Sequence, residues 1–582
     1  MPISSRWSCE IPKCSLTTYL FESPTAVLDQ EPLYIDSLNP EKFVSHHAYR
    51  SLVQRIASGL LAIGLRPGDR VLLFSGNNIF FPSFLNGIIA AGGVFTGANP
   101  SFTPREIEQH IRSSGPRFLV AHRNNSDVAR EAAGNVGLDE GSVFTFDEGL
   151  DITADGKIVG WGDKSSPGLT RHWSDIVEKG YDGFVWRELR TDEELDTTAA
   201  INFSSGYAVP TTMTTGIPKG VQITHKNFVS NAHQIIYLRM QSDSVSNDTR
   251  WLGMLPMYHA YGQTYYATVA PKRRIRLYML QKFDFGAFLM AIQRHKITSI
   301  AAVPPIMVAL AKNPDVLKFD LGSVNRLGSG SAPLSREISR EVEERVMRGR
   351  AGEERVNLKQ GWGMTEATCS VTGFHPNDAD EVGSVGELLP NCEGKVMDAE
   401  TGTRELPPNT PGEVWVRAPN VTKGYYRNRA ATEDTITLDG WLKTGDIGYH
   451  NEAGRWFIVD RKKELIKVKG NQVAPAELEG ILLEHPSIAD AAVIGIPHAE
   501  DERPRAYIVS KPGTAVTADE IREWVKKRAI RYKWITGGVV LIPAVPRNPV
   551  HHPSLSGKIL RRELRDRAKT ETSDSGNVAA KL

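Results

Sequence analysis

Apolar positions along the chain repeat at two spacings. Leu52, Ile56, Leu60 and Leu61 recur at helical intervals within residues 48–65, and an RPGD turn then leads into a short apolar run at 70–74 that reads as a strand. The same order of helix, turn and strand returns at 107–113 and 117–121. Alternation of this kind predicts a parallel sheet with helices on its faces. Further along, 226–240 reads as a helix, 251–255 as a buried strand, and 297–303 and 326–329 as two more strands. Residues 134–192 carry turn signals around short apolar pieces and are expected to be connecting structure. At 382–426 the pattern changes to short β-prone pieces such as GEVWVRA between Pro/Gly turns, which predicts a small barrel-like subdomain. A dense charge run at 460–470 follows. Beyond it, helices at 475–485 and 518–528 with strands at 489–495 and 506–510 predict a compact α+β unit. The fold class expected is α/β: a large N-terminal domain of doubly wound sheets with a small β-barrel subdomain over 1–460, and a small α+β C-terminal domain over 461–582.

One apolar stretch, 79–98, is nearly long enough to span a bilayer. It contains Pro82, Asn86 and the pair Gly92 and Gly93, so it predicts a buried helix leading into a buried strand, with no membrane span. The N-terminus has no apolar segment of the kind that heads a secretory signal.

Composition narrows the function classes. Lysine and arginine (69) balance aspartate and glutamate (68) to a net charge of +1, which argues against nucleic acid as the main partner. Four cysteines, Cys9, Cys14, Cys369 and Cys392, are too few and too scattered for a disulfide framework or a paired-cysteine metal site, which fits a reducing compartment.

Four motifs carry candidate chemistry. A Ser/Thr/Gly-rich turn over 204–219 includes Ser204, Ser205, Gly206, Thr214, Thr215 and Gly216, and ends in Lys219. Small side chains leave backbone N–H groups uncovered for phosphate oxygens, and one lysine supplies a point charge. Gly220 and Val221 follow Lys219, so this is not the phosphate loop of nucleotide triphosphatases that ends in Lys-Ser/Thr. In QGWGMTE, Gly361 and Gly363 flank Trp362 so that backbone and ring can approach a flat ligand, and Thr365 and Glu366 add a hydroxyl and one carboxylate, enough for Mg²⁺ if phosphate and water complete its shell. WLKTGD ends in Asp446, a carboxylate suited to vicinal hydroxyls. Near the end, LSGKILRRE presents Lys558 before a basic helix. The adjacent His551 and His552 lack a third ligand nearby and read as exposed.

Taken in order, these motifs resemble those of the adenylate-forming (acyl-activating) enzymes over nearly the whole chain. LPMYHAYG, QGWGMTEAT, KELIKVKGNQVAPAELE and SGKILRREL look most like 4-coumarate:CoA ligases and luciferase-like acyl-CoA synthetases. Two departures stand out: 207–213 interrupts the phosphate loop, and 550–555 separates PRNP from the glycine and lysine of the last motif. Trp362 also replaces the tyrosine usual in that family.

The resemblance implies ATP, Mg²⁺ and coenzyme A as reactants. Lys219, with the Ser/Thr hydroxyls, would hold the β/γ-phosphates, Thr365 the α-phosphate, Glu366 the Mg²⁺, Trp362 with Gly363 the adenine, and Asp446 with Arg461 the ribose. Lys558 would draw the substrate carboxylate to the α-phosphate. The C-terminal domain would then turn about Lys463, withdrawing Lys558 and presenting Lys467, Lys469, Gly470 and Gln472 to coenzyme A. His259, Tyr261 and Tyr265 should border the acyl pocket, with Gly330, Ser331 and Ala332 on another wall; three rings suit an aryl or medium-length acid. Free coenzyme A is the expected acceptor, because the chain stops soon after Lys558.

Two alternatives remain at this point: an enzyme loading a separate carrier protein, and a non-catalytic nucleotide-binding homologue inactivated by the insertions at 207–213 and 550–555. The chain ends in Ala580, Lys581 and Leu582, one small-for-small change from the tripeptide read by the peroxisomal import receptor, behind a polar segment at 569–579 expected to leave it accessible. Peroxisomal matrix is the expected location, with cytosol as the alternative.

Overall fold

The computed structural model describes residues 2–164, 171–203, 219–241, 248–350, 356–380, 383–468, 471–498, 501–547 and 559–579. Two seven-stranded sheets form the larger part. In the first, the parallel strands Val143–Phe146, Pro116–His122, Arg70–Phe74, Val94–Ala98 and Thr198–Phe203 are neighbours in that order, and Gly220–Thr224 closes one edge antiparallel to Thr198–Phe203. The second runs Leu358–Gln360, Arg326–Ser329, Ser299–Ala302, Arg250–Gly253, Arg276–Met279 and Pro32–Asp36 in parallel, with Phe43–Ser45 antiparallel at its edge.

The apolar stretch at 79–98 forms the helix Phe81–Ala90, buried along its whole length, followed by the strand Val94–Ala98. Its Gly87 lies where an added Cβ would meet Ile56 Cγ2 at 2.5 Å, so the helix packs closely against His46–Ala62. Among the described residues no helix is long and apolar enough to cross a membrane.

The expectation for 134–192 is corrected. Val143–Phe146 is a full strand of the first sheet, next to its edge, where Arg171–His172 pairs beside it, and Trp173 is fully buried against Phe80, Phe84 and Phe146. All four residues of Val143–Phe146 are buried, so the segment lacks the apolar/polar alternation that marks a half-exposed strand.

In the β-rich segment, Ile3–Ser4, Glu393–Met397, Gly412–Arg417, Leu442–His450 and Trp456–Arg461 are hydrogen-bonded in that order, each pair antiparallel. The first strand comes from the far N-terminus, which ties the opening of the chain to this sheet. One continuous apolar cluster extends from Leu16 to Trp456. From Ile466 onward the buried apolar residues pack among themselves in two smaller clusters. There the hairpin Ile488–His498 and Asp501–Ser510 is joined by Val539–Leu541, with the helices Pro475–Leu483 and Ala518–Lys526 against it.

The polar segment at 569–579 differs from expectation by being helical, the end of Arg561–Ala579. Leu564 and Ala568 bury one face of that helix, and Glu571 pairs with Arg505 at 2.5 Å.

Candidate functional site

A cavity of about 1600 Å³ opens between the second sheet and the β-rich segment. Its walls include Lys219, His259, Tyr261, Tyr265, Gly330, Ser331, Trp362, Gly363, Thr365, Glu366, Asp446, Arg461 and Lys463. Residues spread over some 240 positions of sequence are thus gathered at one place. Ala332 is exposed and lies outside the lining. Lys467 and Gln472, both exposed, face each other across the antiparallel strands Ile466–Val468 and Asn471–Val473, also outside it. Ser204, Ser205, Gly206, Thr214, Thr215, Gly216, Lys469, Gly470, Lys558 and both insertions lie outside the described residues.

The turn after Leu358–Gln360 brings Trp362 into the cavity. Gln360 holds the neighbouring loop by a reciprocal pair with the Leu334 backbone, at 2.8 and 3.0 Å. Gly363 follows, and a Cβ there would stand 1.7 Å from the Cys369 carbonyl oxygen, so only glycine fits the turn. Trp362 is buried, and its indole Nε1–H donates to Asp446 Oδ2 at 2.8 Å. Asp446 is set by Gly445, whose φ of 70° lies in the left-handed region, and by Thr444, whose hydroxyl accepts from the Asp446 N–H and donates to the Val414 carbonyl. Arg461, its partner across the strand pair, brings Nε to 3.8 Å from Asp446 Oδ1. The predicted ribose carboxylate is therefore oriented from one side by an indole and from the other by a guanidinium.

Glu366 presents one carboxylate, and Tyr425 donates its hydroxyl to Oε1 at 3.0 Å. Burial, then the charge of Glu366, pushes the Tyr425 hydroxyl up, which keeps it a donor at neutral pH. The same ring lies 4.9 Å from Lys219 Nζ, so Tyr425 joins the predicted phosphate lysine to the predicted metal carboxylate. Sequence reasoning missed Tyr425, which is 59 residues from Glu366 and in no local pattern with it. Among the described residues no group of three or more His, Cys, Asp or Glu side chains is arranged to hold a metal ion. A divalent cation at Glu366 would thus take most of its shell from phosphate and water, which fits a lone carboxylate in an open cavity.

On the acyl side, Tyr261 and Tyr265 stack with ring centroids 4.3 Å apart, and the Tyr265 hydroxyl meets Ser370 Oγ at 3.1 Å. Buried amides hold this segment in place. Asn202 and Gln263 exchange two hydrogen bonds at 2.8 and 2.9 Å, while Asn77 donates to the Leu255 carbonyl and accepts from the Met257 N–H. The first sheet thereby fixes the turn that carries His259 to Tyr265.

At the far side, Asp460 is buried and accepts from the backbone of Arg461 and Ala476. Arg561, at the start of the last helix, pairs with Glu479 at 2.9 Å, and Arg565 pairs with Glu464 at 2.7 Å. The helix that begins three residues after Lys558 is thus tied to the segment around Lys463.

Comparisons with known proteins agree with this arrangement. The family model described as AMP-binding enzyme matches residues 25–426, and its companion C-terminal domain matches 477–551. A phenylacetyl-CoA ligase, epaB, of Aspergillus niger is 34% identical over 570 residues, covering 96% of this chain and 98% of that protein. A probable 4-coumarate–CoA ligase of Dictyostelium discoideum is 36% identical over 538 residues, covering 92% of each. Among solved structures, ATP-bound MatB from Rhodopseudomonas palustris superposes with a TM-score of 0.77 at 26% identity, covering 95% of this chain and 99% of that one. The fold is also that of an anthranilate CoA ligase in complex with anthranoyl-AMP, with a TM-score of 0.81 at 21% identity over 97% and 99% of the two chains. With the family model matched over 25–426, its C-terminal companion over 477–551 and relatives aligned over nearly the whole chain, the chain belongs to the family of AMP-binding, adenylate-forming enzymes.

Proposed function

We propose that the chain is an AMP-forming acyl-CoA ligase acting on an aryl or medium-chain carboxylic acid. A single observation carries the reading: one cavity is lined at once by the phosphate lysine, the ring and carboxylate suited to a nucleoside, the lone carboxylate suited to a cation, and a stacked tyrosine pair. The relatives named for phenylacetate and 4-coumarate support an aryl acid.

In the first half reaction the substrate carboxylate attacks the α-phosphorus of ATP, and pyrophosphate leaves. Alignment and charge neutralisation are the protein's share of that step. Asp446, steadied by Trp362 and Arg461, orients the ribose, and Lys219 neutralises the departing phosphates. Thr365 donates to the α-phosphate. Mg²⁺ held at Glu366 would supply further charge neutralisation on the phosphates. Tyr425 fixes the Glu366 carboxylate from behind. Lys558 draws the two reacting groups together. In the second half reaction the thiol of coenzyme A displaces AMP from the acyl-adenylate, with the segment beyond Asp460 turned about Lys463 so that Gly470 and its neighbours face the thiol.

The test separates the half reactions. Purified protein given ATP, Mg²⁺, coenzyme A and phenylacetate or cinnamate is expected to release AMP and the acyl thioester. Lys558→Ala is expected to abolish acyl-adenylate formation while still making thioester from supplied acyl-adenylate; equal loss of both steps would count against the role given to that lysine. Deleting 207–213 and comparing turnover tests whether that insertion impairs phosphate handling.

For location we propose the peroxisomal matrix, on the strength of Ala580, Lys581 and Leu582. Imaging an N-terminally tagged protein with and without those three residues decides it, and identical diffuse distributions would sink the reading.

A further inference from the structure

The cavity continues beyond the stacked tyrosines to a group of cations that no step above uses. Arg239, Arg326 and Lys359 all line it. The parallel strands Ser299–Ala302, Arg326–Ser329 and Leu358–Gln360 form one wall, and their carboxyl ends lead to Gly330 and Trp362, where the acyl group would be activated. Their amino ends lead the other way, to Arg326, which is about 13 Å from Gly330 at the usual rise of a strand. Small residues pave the way between. Ser299 is opposite Arg326, Ala301 opposite Gly328, and Gly328 opposite Lys359. A Cβ added at Gly328 would have no neighbour nearer than 3.9 Å, an ordinary van der Waals contact, so the wall is not crowded there.

Among the described residues opposing charge is scarce at the far end. Among the described residues none of the three cations forms an ion pair with a carboxylate, and the Arg326 side chain has no hydrogen-bond partner. The Arg239 guanidinium lies over the rings of Trp251 and Tyr265, at 5.1 and 5.6 Å, and Lys359 Nζ donates to the carbonyls of His375 and Pro376. Asp378, the nearest acid acting on Lys359, is already engaged by Arg455 at 3.3 Å and Arg6 at 3.9 Å. Burial pushes Lys359 down to about 8, and Arg326, Arg455 and Arg239 add to the effect against Asp378. Arg326 is pushed down by burial and by Arg239 and Arg273. Confining like charges in a partly desolvated wall costs free energy that a bound anion would recover.

We propose that the acyl substrate carries a second carboxylate at the end remote from the one that is activated, received by Arg326 with Arg239 and Lys359. This rests on the ligase reading above and deepens it from an aryl or medium-chain acid to a diacid. An aryl body would lie along the tyrosines, and the remote carboxylate would supply the missing charge.

The experiment compares kcat/KM of the purified enzyme, with ATP and coenzyme A, for cinnamate against 4-carboxycinnamate and for octanoate against octanedioate. Each diacid is expected to be preferred by at least about tenfold, the order of one charge-assisted hydrogen bond. Arg326→Met and Lys359→Met are each expected to cut that preference about tenfold, through KM for the diacid. Equal use of both members of each pair, or preference for the monoacids, would overturn the inference. So would variants that lose activity on both kinds of acid alike, since that marks a structural role, or variants whose KM rises for coenzyme A and not for the diacid. If no acid of the panel supports AMP formation, the ligase reading itself fails and takes this inference with it; turnover of monoacids without a diacid preference removes this inference alone.

Discussion

Trp362 shows what a motif conveys and what it leaves out. An aromatic between two glycines predicts a ring beside a flat ligand, and the ring does line the cavity. Its N–H bond to Asp446, 84 residues away, depends on tertiary placement and has no local signature. Trp362→Phe keeps the ring and deletes that bond. KM for ATP is expected to rise about tenfold, as befits a hydrogen bond to a charged group, with the acid's KM little changed in steady-state assays. Glu479 offers a second test. Burial outweighs Arg561 and raises its carboxyl from 4.5 to about 7. The folded state therefore holds the proton more tightly than the unfolded chain does. The stability this contributes is complete below about pH 4.5 and is lost as pH rises through about 7. Melting temperature should thus fall between pH 5 and 7.5, and Glu479→Gln, which keeps an acceptor for the Val493 N–H, should flatten that part of the profile. An unchanged slope would mean that Glu479 stays ionised against Arg561.

Among the elements, those with a strong period were legible from sequence: the helix at 46–62, the buried helix at 81–90 and the strands after each of them. Val143–Phe146 escaped because a strand buried on both faces has no alternation to display. The last helix escaped in part for the opposite reason. Its sequence is almost wholly polar, and its docking depends on the Arg561, Arg565 and Glu571 ion pairs together with Leu564 and Ala568. Turn chemistry was clearer. Gly363 is demanded by the approach of the Cys369 carbonyl, so Gly363→Ala is expected to destabilise the protein by about 2 kcal/mol or more and to depress adenylation with it. Denaturant unfolding read beside ATP turnover checks this, and a variant of normal stability and rate would show that the turn yields.

At the scale of the whole molecule, the segments that meet at the cavity come from three sheets: Lys219 precedes Gly220–Thr224 of the first, Trp362 follows Leu358–Gln360 of the second, and Asp446 lies within Leu442–His450 of the β-rich one. The cations at the far end of the cavity were not foretold, since Arg326 and Lys359 belong to different strands and only their register brings them together. The apolar residues on either side of Asp460 pack in separate clusters, which suits a boundary near it and the hinge proposed at Lys463. On that reading Gly470→Trp should leave acyl-adenylate formation intact and block thioester formation, and normal thioester yield would show that the thiol enters elsewhere. The bond between Trp362 and Asp446 has an optical consequence as well. An indole whose N–H faces a carboxylate emits according to that contact, and a nucleoside whose hydroxyls engage the carboxylate alters the field the ring experiences. Binding of ATP or AMP should therefore change the intrinsic fluorescence of the protein, and the change should vanish in Trp362→Phe although ten other tryptophans remain. The chain would carry its own reporter of nucleotide occupancy, readable in a stopped-flow cuvette without any label.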